Sequence, residues 1–200
     1  MPELTIIAGC NGAGKSTFAS SFLPDGVVSF DFDKLFLEYY QTLPDSEFQE
    51  KIAKDRTSKE FEQAIENSLT HKTDFSYETN FDIYPIDWAE KFKKSGFTIN
   101  LIFFCLENQE IARHRIQVRT EFKGFFVDNK TIDLKWKAGY KNLNINFTFF
   151  DNILIVDNSK NKGVYINILQ IEKGEVELMT DKIPDYFSHR LPNIYKLINK

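Results

Sequence analysis

The sequence predicts an α/β fold of three layers, with helices on both faces of a mainly parallel, five-stranded sheet. Short apolar runs alternate along the chain with longer stretches whose apolar residues recur at helical spacing. Most of the short runs are mainly apolar, as strands are when both faces of a parallel sheet are covered. The strands are expected at residues 4–8, 27–30, 74–78, 99–105 and 153–156.

Apolar spacing and end signals predict the helices between these strands. The clearest helix covers residues 58–72, where Phe61, Ile65 and Leu69 belong to an apolar stripe and Ser58 is a candidate N-cap. The other helices are expected at residues 15–23, 33–40, 85–95, 108–119 and 131–143, with a last one in the tail from Pro184 onward.

The C-terminal part predicts a β-hairpin at about residues 164–180, because two apolar runs flank the turn signal Lys173-Gly174. No repeat, linker or low-complexity tract interrupts the chain of 200 residues. A length of this size is typical of one domain with its own core, so we expect a single domain over residues 1–200.

Composition argues against several classes of function. The formal net charge of −4 gives no basis for wrapping a nucleic acid or coating an anionic membrane. Cys10 and Cys105 lie far apart in the sequence, and their spacing is not that of metal ligands. The three histidines do not form a metal-ligand pattern either. The N-terminus shows neither a signal peptide nor a membrane-spanning run. A cytoplasmic protein with reduced thiols is the expectation.

Residues 9–16 fit the pattern G-x-x-x-x-G-K-[ST] at every fixed position, between a predicted strand and a predicted helix. Glycines permit a backbone path in which N–H groups turn toward phosphate oxygens, and the helix that follows adds its positive end. A glycine-rich turn that carries Lys-Ser by chance is the alternative, which the flanking elements disfavour. The residues assigned to nucleotide binding are Gly9, Cys10, Asn11, Gly12, Ala13, Gly14, Lys15, Ser16 and Thr17.

The loop predicts ATP and Mg²⁺ as cofactors. Lys15 is expected to reach the β- and γ-phosphates and to take part in catalysis, and the Ser16 hydroxyl to ligate Mg²⁺. ABC-type ATPases carry a similar loop, but they need a Ser-Gly-Gly-Gln signature that this sequence does not contain. They also need Asp-Glu after an apolar strand, and here Asn158 follows Asp157.

Further motifs resemble those of the zeta toxin family of P-loop kinases over most of the chain. Residues 31–35 read Asp-Phe-Asp-Lys-Leu where the family carries Asn-Pro-Asp-Glu-Ile, and residues 78–81 read Glu-Thr-Asn-Phe in place of Glu-Thr-Thr-Phe. An arginine-bearing helix, the segment Lys123-Gly124-Phe125 in place of Gly-Gly-His, and residues 157–159 follow in the family's order. The resemblance implies the three-layer P-loop kinase fold, with a lid at about residues 119–130.

The resemblance also implies roles for the acidic residues. Asp33 takes the place of the base that accepts the proton of the substrate hydroxyl, although an aspartate there is also a natural helix N-cap. Asp31 points to the same side as Asp33 in strand geometry. It is assigned to the substrate, with a water-mediated contact to Mg²⁺ as the alternative. Glu78 and Thr79 match the family's substrate-holding pair; a surface acid at a strand end is the other reading.

Three of the five arginines lie within residues 113–119. Arg115 and Arg119 are four residues apart, hence on one face of the predicted helix. Lid arginines of such kinases neutralise the transferred phosphate, so both are candidate catalytic residues, with Arg119 preferred because it lies nearest the lid. A solvated helix face is the alternative. Asn158 is expected to line the adenine pocket, or else to belong to a plain turn.

We therefore expect a kinase that transfers the γ-phosphate of ATP to a hydroxyl group of a small molecule. By resemblance the acceptor is a nucleotide-activated amino sugar, and the family admits an antitoxin protein as a partner. An ATP-gated switch without a small-molecule acceptor is the main alternative. A nucleic-acid kinase is disfavoured by the acidic charge balance and the lack of a basic stripe.

Overall fold

The computed structural model describes residues 1–121, 127–160 and 163–198. A sheet of six strands runs through the molecule in the order β2-β1-β3-β4-β5-β6. Strands β1 to β4 are parallel, whereas β5 and β6 pair antiparallel with β4 and with each other. The strands are β1 (Glu3–Ala8), β2 (Phe75–Thr79), β3 (Thr98–Cys105), β4 (Asn152–Asp157), β5 (Ile166–Glu172) and β6 (Glu175–Leu178).

The helices connect these strands and flank the sheet. In chain order they are α1 (Lys15–Phe18), α2 (Phe32–Thr42), α3 (Gln49–His71), α4 (Asp87–Lys94), α5 (Gln109–Glu121), α6 (Asn129–Asn146), α7 (Phe187–Arg190) and α8 (Pro192–Ile198). Short 3-10 turns follow α1 at Ala19–Phe22 and α6 at Phe147–Phe149. None of the helices in the described part of the chain is long and apolar enough to cross a membrane.

Neighbouring residues of β3 show that helices cover both faces, as the sequence predicts. The ring of Phe103 packs against Tyr140 of α6, while the ring of Phe104 packs against Phe18 of α1 on the other face. Consecutive side chains of a strand point to opposite faces, so both must be apolar when each face is covered. Both phenylalanines are accordingly buried.

The expected strand at residues 27–30 is wrong. Only Phe30 bridges to the sheet: its N–H donates to the Ser76 carbonyl, and its carbonyl accepts from the Glu78 N–H. Pro24 and Gly26 turn the chain just before this run, and Val28 is 85% exposed. The run is therefore too short to build a ladder. The parallel part of the sheet has four strands, and the predicted C-terminal hairpin joins it as β5 and β6.

The N-termini of α3 and α2 also differ from expectation. Helix α3 begins at Gln49, and Ser58 lies inside it rather than capping it, because no glycine or proline interrupts the preceding residues. The stripe of Phe61, Ile65 and Leu69 does face the core. The N-cap of α2 is Asp31, whose Oδ1 accepts from the Lys34 N–H at 3.0 Å; Asp33 lies in the first turn and makes no capping bond there.

Candidate active site

The loop of residues 9–14 leaves the carboxyl end of β1 in a path that needs glycine. Gly14 has φ +98°, and a Cβ there would lie 2.3 Å from Nδ2 of Asn158. Gly9 has φ +143°, and a Cβ there would lie 2.7 Å from the carbonyl oxygen of Phe104. The loop is therefore wedged between α1 and the ends of β3 and β4. Close packing of this kind holds backbone N–H groups in one orientation for a phosphate ligand.

Lys15 lies at the start of α1 and is partly buried. Its Nζ donates to the carbonyl oxygens of Gly9 at 2.8 Å and Cys10 at 3.3 Å, and to Oδ1 of Asn80 at 3.3 Å. The ammonium group is thus held at the mouth of the loop. Burial raises the pKa of the neighbouring Cys10 thiol to about 11, so this residue adds no negative charge beside Lys15.

Ser16 lies between two carboxylates. Its Oγ is 2.8 Å from Oδ2 of Asp31 and 2.7 Å from Oε2 of Glu78. Burial, and next the charge of Asp31, raise the pKa of Glu78 to about 7. Hydroxyl and carboxylate oxygens are the protein ligands that Mg²⁺ prefers. The oxygens of Ser16, Asp31 and Glu78 are therefore of the kind that suits Mg²⁺. The sequence predicts the Ser16 hydroxyl as the ligand of this ion, and the two carboxylates lie beside that hydroxyl.

Asp33 lies one helical position beyond Phe32 and is exposed to solvent. Its Oδ2 accepts a hydrogen bond from Nδ2 of Asn11 at 3.2 Å, which ties the carboxylate to the phosphate loop. Asp31 performs the capping role, so the Asp33 carboxylate is left facing the same cavity. The sequence did not indicate the contact with Asn11.

The three arginines of α5 have different surroundings. Nη2 of Arg113 donates to both carboxylate oxygens of Asp133 of α6, and Nη1 donates to Glu110. Arg115 donates to the carbonyl oxygens of Gly12 at 3.3 Å, Asn158 at 2.7 Å and Lys160 at 3.1 Å. The Arg119 side chain is exposed and lines the cavity. Arg115 also lines the cavity, so the expected common face of Arg115 and Arg119 is confirmed.

Asn158 and Thr79 tie the ends of two strands to the phosphate loop. The Asn158 side chain is buried and donates from Nδ2 to the carbonyl oxygen of Ala13 at 2.8 Å. Thr79 accepts from the Gly9 N–H through its carbonyl, and its Oγ1 accepts from the Phe81 N–H at 3.0 Å. Both residues line the cavity, yet their hydrogen bonds go to backbone groups of the protein.

One cavity of about 840 Å³ brings most of the predicted site together. Of the predicted residues, those that line it are Asn11, Gly12, Gly14, Lys15, Ser16, Thr17, Asp31, Asp33, Glu78, Thr79, Arg115, Arg119 and Asn158. Gly9, Cys10 and Ala13 of the loop are buried and are not among the residues that line the cavity. Sequence reasoning did not assign Asn80, which holds Lys15, or the rim residues Tyr84 and Trp88. The only signal for Asn80 in the sequence was its place directly after Glu78 and Thr79. Residues 123–125 lie outside the described residues.

Solved structures with a similar fold include a toxin–antitoxin system, the AvrRxo1-ORF1:AvrRxo1-ORF2 complex and an RNA repair complex. The PezAT toxin–antitoxin system of Streptococcus pneumoniae matches with a TM-score of 0.64 and 16% identity, covering 100% of this chain and 88% of that one. The complex of AvrRxo1-ORF1 and AvrRxo1-ORF2 with sulphate ions matches with a TM-score of 0.69 and 14% identity, covering 96% of this chain and 64% of that one. The Pnkp1/Rnl/Hen1 RNA repair complex matches with a TM-score of 0.52 and 22% identity, covering 92% and 50%. At these identities the likeness shows the fold.

No curated protein matches the sequence significantly. The family comparison is more informative, because the zeta toxin family matches residues 1–170, which include every residue of the candidate site. The motifs quoted from the sequence lie in the same span. The chain therefore belongs to the zeta toxin family and is a P-loop kinase.

Proposed function

We propose that this kinase uses ATP and Mg²⁺ to phosphorylate a hydroxyl group of a small molecule. The observation that carries the proposal is the convergence on one cavity of the phosphate loop, the Ser16–Asp31–Glu78 cluster and the carboxylate of Asp33. A protein that only binds ATP needs the loop and a cation site. The further carboxylate and the open space beside it suit a second substrate.

Ser16, Asp31 and Glu78 would hold Mg²⁺, whose positive charge stabilises the charge on the phosphate oxygens. We therefore assign Asp31 and Glu78 to the cation. The sequence predicts a substrate contact for both, with a water-mediated contact to Mg²⁺ as the alternative for Asp31. The geometry supports this change, because the Ser16 hydroxyl lies 2.8 Å from Oδ2 of Asp31 and 2.7 Å from Oε2 of Glu78, so the three oxygens can approach one ion together.

Asp33 would act on the acceptor. The acceptor hydroxyl oxygen forms a bond to the γ-phosphorus, the bond from that phosphorus to the bridging oxygen of ADP breaks, and the hydroxyl proton passes to the Asp33 carboxylate. Asn11 holds this carboxylate at the loop through its amide. Arg119 reaches the cavity from α5 and would neutralise charge on the transferred group. Arg115 would hold the loop in place through the Gly12 carbonyl.

A nucleotide-activated amino sugar is the first acceptor to test, since the family membership supports it. An antitoxin protein is the partner that the same membership supports, and a toxin–antitoxin system is among the similar structures. The direct experiment incubates the protein with ATP, Mg²⁺ and a panel of nucleotide sugars and metabolites, and reads products by mass. A gain of one phosphate on one acceptor supports the proposal. Clean ATP binding with every acceptor unchanged would favour the ATP-gated switch.

A further inference from the structure

Arg190 ends α7, in a part of the chain beyond the residues that the zeta toxin family matches. Its Nη1 donates to the carbonyl oxygen of Leu106 at 3.0 Å. The guanidinium carbon lies 4.3 Å from the ring centroid of Trp136, 4.7 Å from that of Tyr186 and 5.4 Å from that of Tyr140. Ring faces attract a guanidinium group and restrict its position. One carbonyl and three rings therefore fix Arg190.

Leu106 is the first residue after β3 and is 1% exposed. Beyond the strand, the sheet no longer supplies partners for the backbone N–H and carbonyl of Leu106. Because buried backbone polar groups need hydrogen bonds, these two groups must find partners elsewhere. The Tyr140 hydroxyl accepts from the Leu106 N–H at 3.0 Å and donates to the Leu106 carbonyl at 2.9 Å. Arg190 is the second donor to that oxygen. The chain is thus held firmly where it leaves the sheet.

Helix α5 begins three residues after Leu106, at Gln109. The Asn108 side chain accepts from the Ile111 N–H at 3.1 Å and so joins the linking segment to the first turn. Arg119 lies about 15 Å further along the helix, at 1.5 Å per residue. A small rotation at Leu106 is therefore enlarged at Arg119, and phosphoryl transfer is sensitive to displacements of about 1 Å.

We propose that Arg190 is a positioning residue for the phosphoryl transfer. By holding the Leu106 carbonyl it sets the direction of α5, and α5 sets where the Arg119 guanidinium meets the cavity. The inference rests on the proposed kinase function. Arg190 itself is not among the cavity-lining residues of the described chain, so it acts through α5 and not on the substrates.

The test compares Arg190→Met and Arg190→Lys with the wild type in kcat, KM for ATP and melting temperature. Methionine fills the space between the rings without the charge or the hydrogen bond, while lysine keeps the charge and can still donate to the carbonyl oxygen. We expect Arg190→Met to lower kcat at least tenfold with KM for ATP changed less than threefold. Arg190→Lys should recover part of the loss.

Ile194→Ala is the matched control, because Ile194 is fully buried on α8 in the same C-terminal segment and its aliphatic side chain cannot donate to the Leu106 carbonyl. It should lower the melting temperature and leave kcat of the folded protein unchanged. An equal fall of kcat in Arg190→Met and Ile194→Ala, or no fall in Arg190→Met, would overturn the positioning role and leave a purely structural one.

A second readout separates this inference from the proposed reaction. If the wild type transfers phosphate to no acceptor, the proposed function fails, and hydrogen exchange then tests the position of α5. Backbone amides of residues 107–119 should exchange faster in Arg190→Met than in the wild type, with Ile194→Ala showing no such local change. Equal exchange of this segment in Arg190→Met and in the wild type would contradict the inference.

Discussion

The side-chain oxygens of Ser16 and Glu78 lie 2.7 Å apart, although the sequence separates the two residues by 62 positions. Ser16 belongs to the helix after the phosphate loop, and Glu78 to the edge strand β2. Parallel pairing of β1 with β2 brings the carboxyl ends of both strands to one edge of the sheet and so produces this contact. A hydroxyl carries one proton and donates to one carboxylate at a time, so Asp31 and Glu78 compete for it.

The first prediction concerns Glu78 and the stability of the protein without Mg²⁺. The pKa of Glu78 is about 7 in the folded protein, against an ordinary value of 4.5. Between these two pH values, the folded state therefore keeps a proton on Glu78 that the unfolded state has already lost. Stability contributed by this group therefore falls as pH rises from 4.5 to 7 and stays reduced above that. Glu78→Gln should be more stable than the wild type above pH 7, by on the order of 1 to 3 kcal/mol, and equal to it below pH 4.5.

Denaturant unfolding across this pH range measures the difference. Glu66→Gln, on an exposed part of α3, makes the same change in net charge and corrects for it. A Glu78→Gln variant that is less stable than the wild type at pH 8 would refute the prediction. The same variant should lose phosphoryl transfer, because an amide is a weaker ligand for the cation than a carboxylate.

Lys15→Met should abolish ATP turnover and weaken ATP binding at least tenfold, because the ammonium group pairs with the β- and γ-phosphates in such loops. Isothermal titration with ATP and Mg²⁺ measures the binding. Lys34→Met tests whether the loss is specific, since Lys34 is an exposed lysine at the same cavity that lies outside the loop. Full ATP turnover by Lys15→Met would contradict the assignment of residues 9–16 as the nucleotide-binding loop.

Asp33→Asn should lower kcat by roughly 10² to 10⁴, the range expected when a general base is removed, with ATP affinity close to that of the wild type. The amide keeps the shape of the side chain but accepts no proton. Asp25→Asn, at an exposed turn, supplies the same charge change away from the cavity and should have no effect. Unchanged turnover in Asp33→Asn would show that the acceptor proton leaves by another route.

Arg119→Ala should reduce kcat by at least 10²-fold, since a guanidinium that meets the transferred phosphate stabilises its charge in the transition state. Arg113→Lys on the same helix is the control, because Arg113 pairs with Asp133 instead of facing the cavity. Steady-state kinetics with ATP and the acceptor distinguish the two variants. If both arginines prove equally dispensable, α5 is a solvated helix without a catalytic role.

The local rules of the sequence predict much of the fold. The buried runs at residues 4–8 and 99–105 form β1 and β3, because a mainly apolar run has no polar face to turn toward solvent. Residues 27–30 look similar but make only one bridge at Phe30, since strand pairing depends on partners that lie far away in the sequence. Ser58 resembles an N-cap, but the helix formers before it extend α3 back to Gln49.

The site was predictable where a motif carries its own geometry. The loop at residues 9–16 is local, so strand, glycines and helix specify it together. Contacts between distant segments were not predictable from one sequence. Examples are the contacts of the Ser16 hydroxyl with Asp31 and Glu78, and the hydrogen bond from Arg115 to the Gly12 carbonyl of the loop. These depend on the order of strands in the sheet and on the direction of α5.

The transfer of the γ-phosphate to an acceptor is tested most directly with ATP whose γ-phosphate oxygens carry a heavy isotope. We expect the labelled phosphate on a hydroxyl of one small molecule, with the bridging oxygen unlabelled because the acceptor supplies it, and a far slower reaction in Asp33→Asn. Recovery of all the label in inorganic phosphate, at the same rate with and without every acceptor, would contradict the kinase reaction.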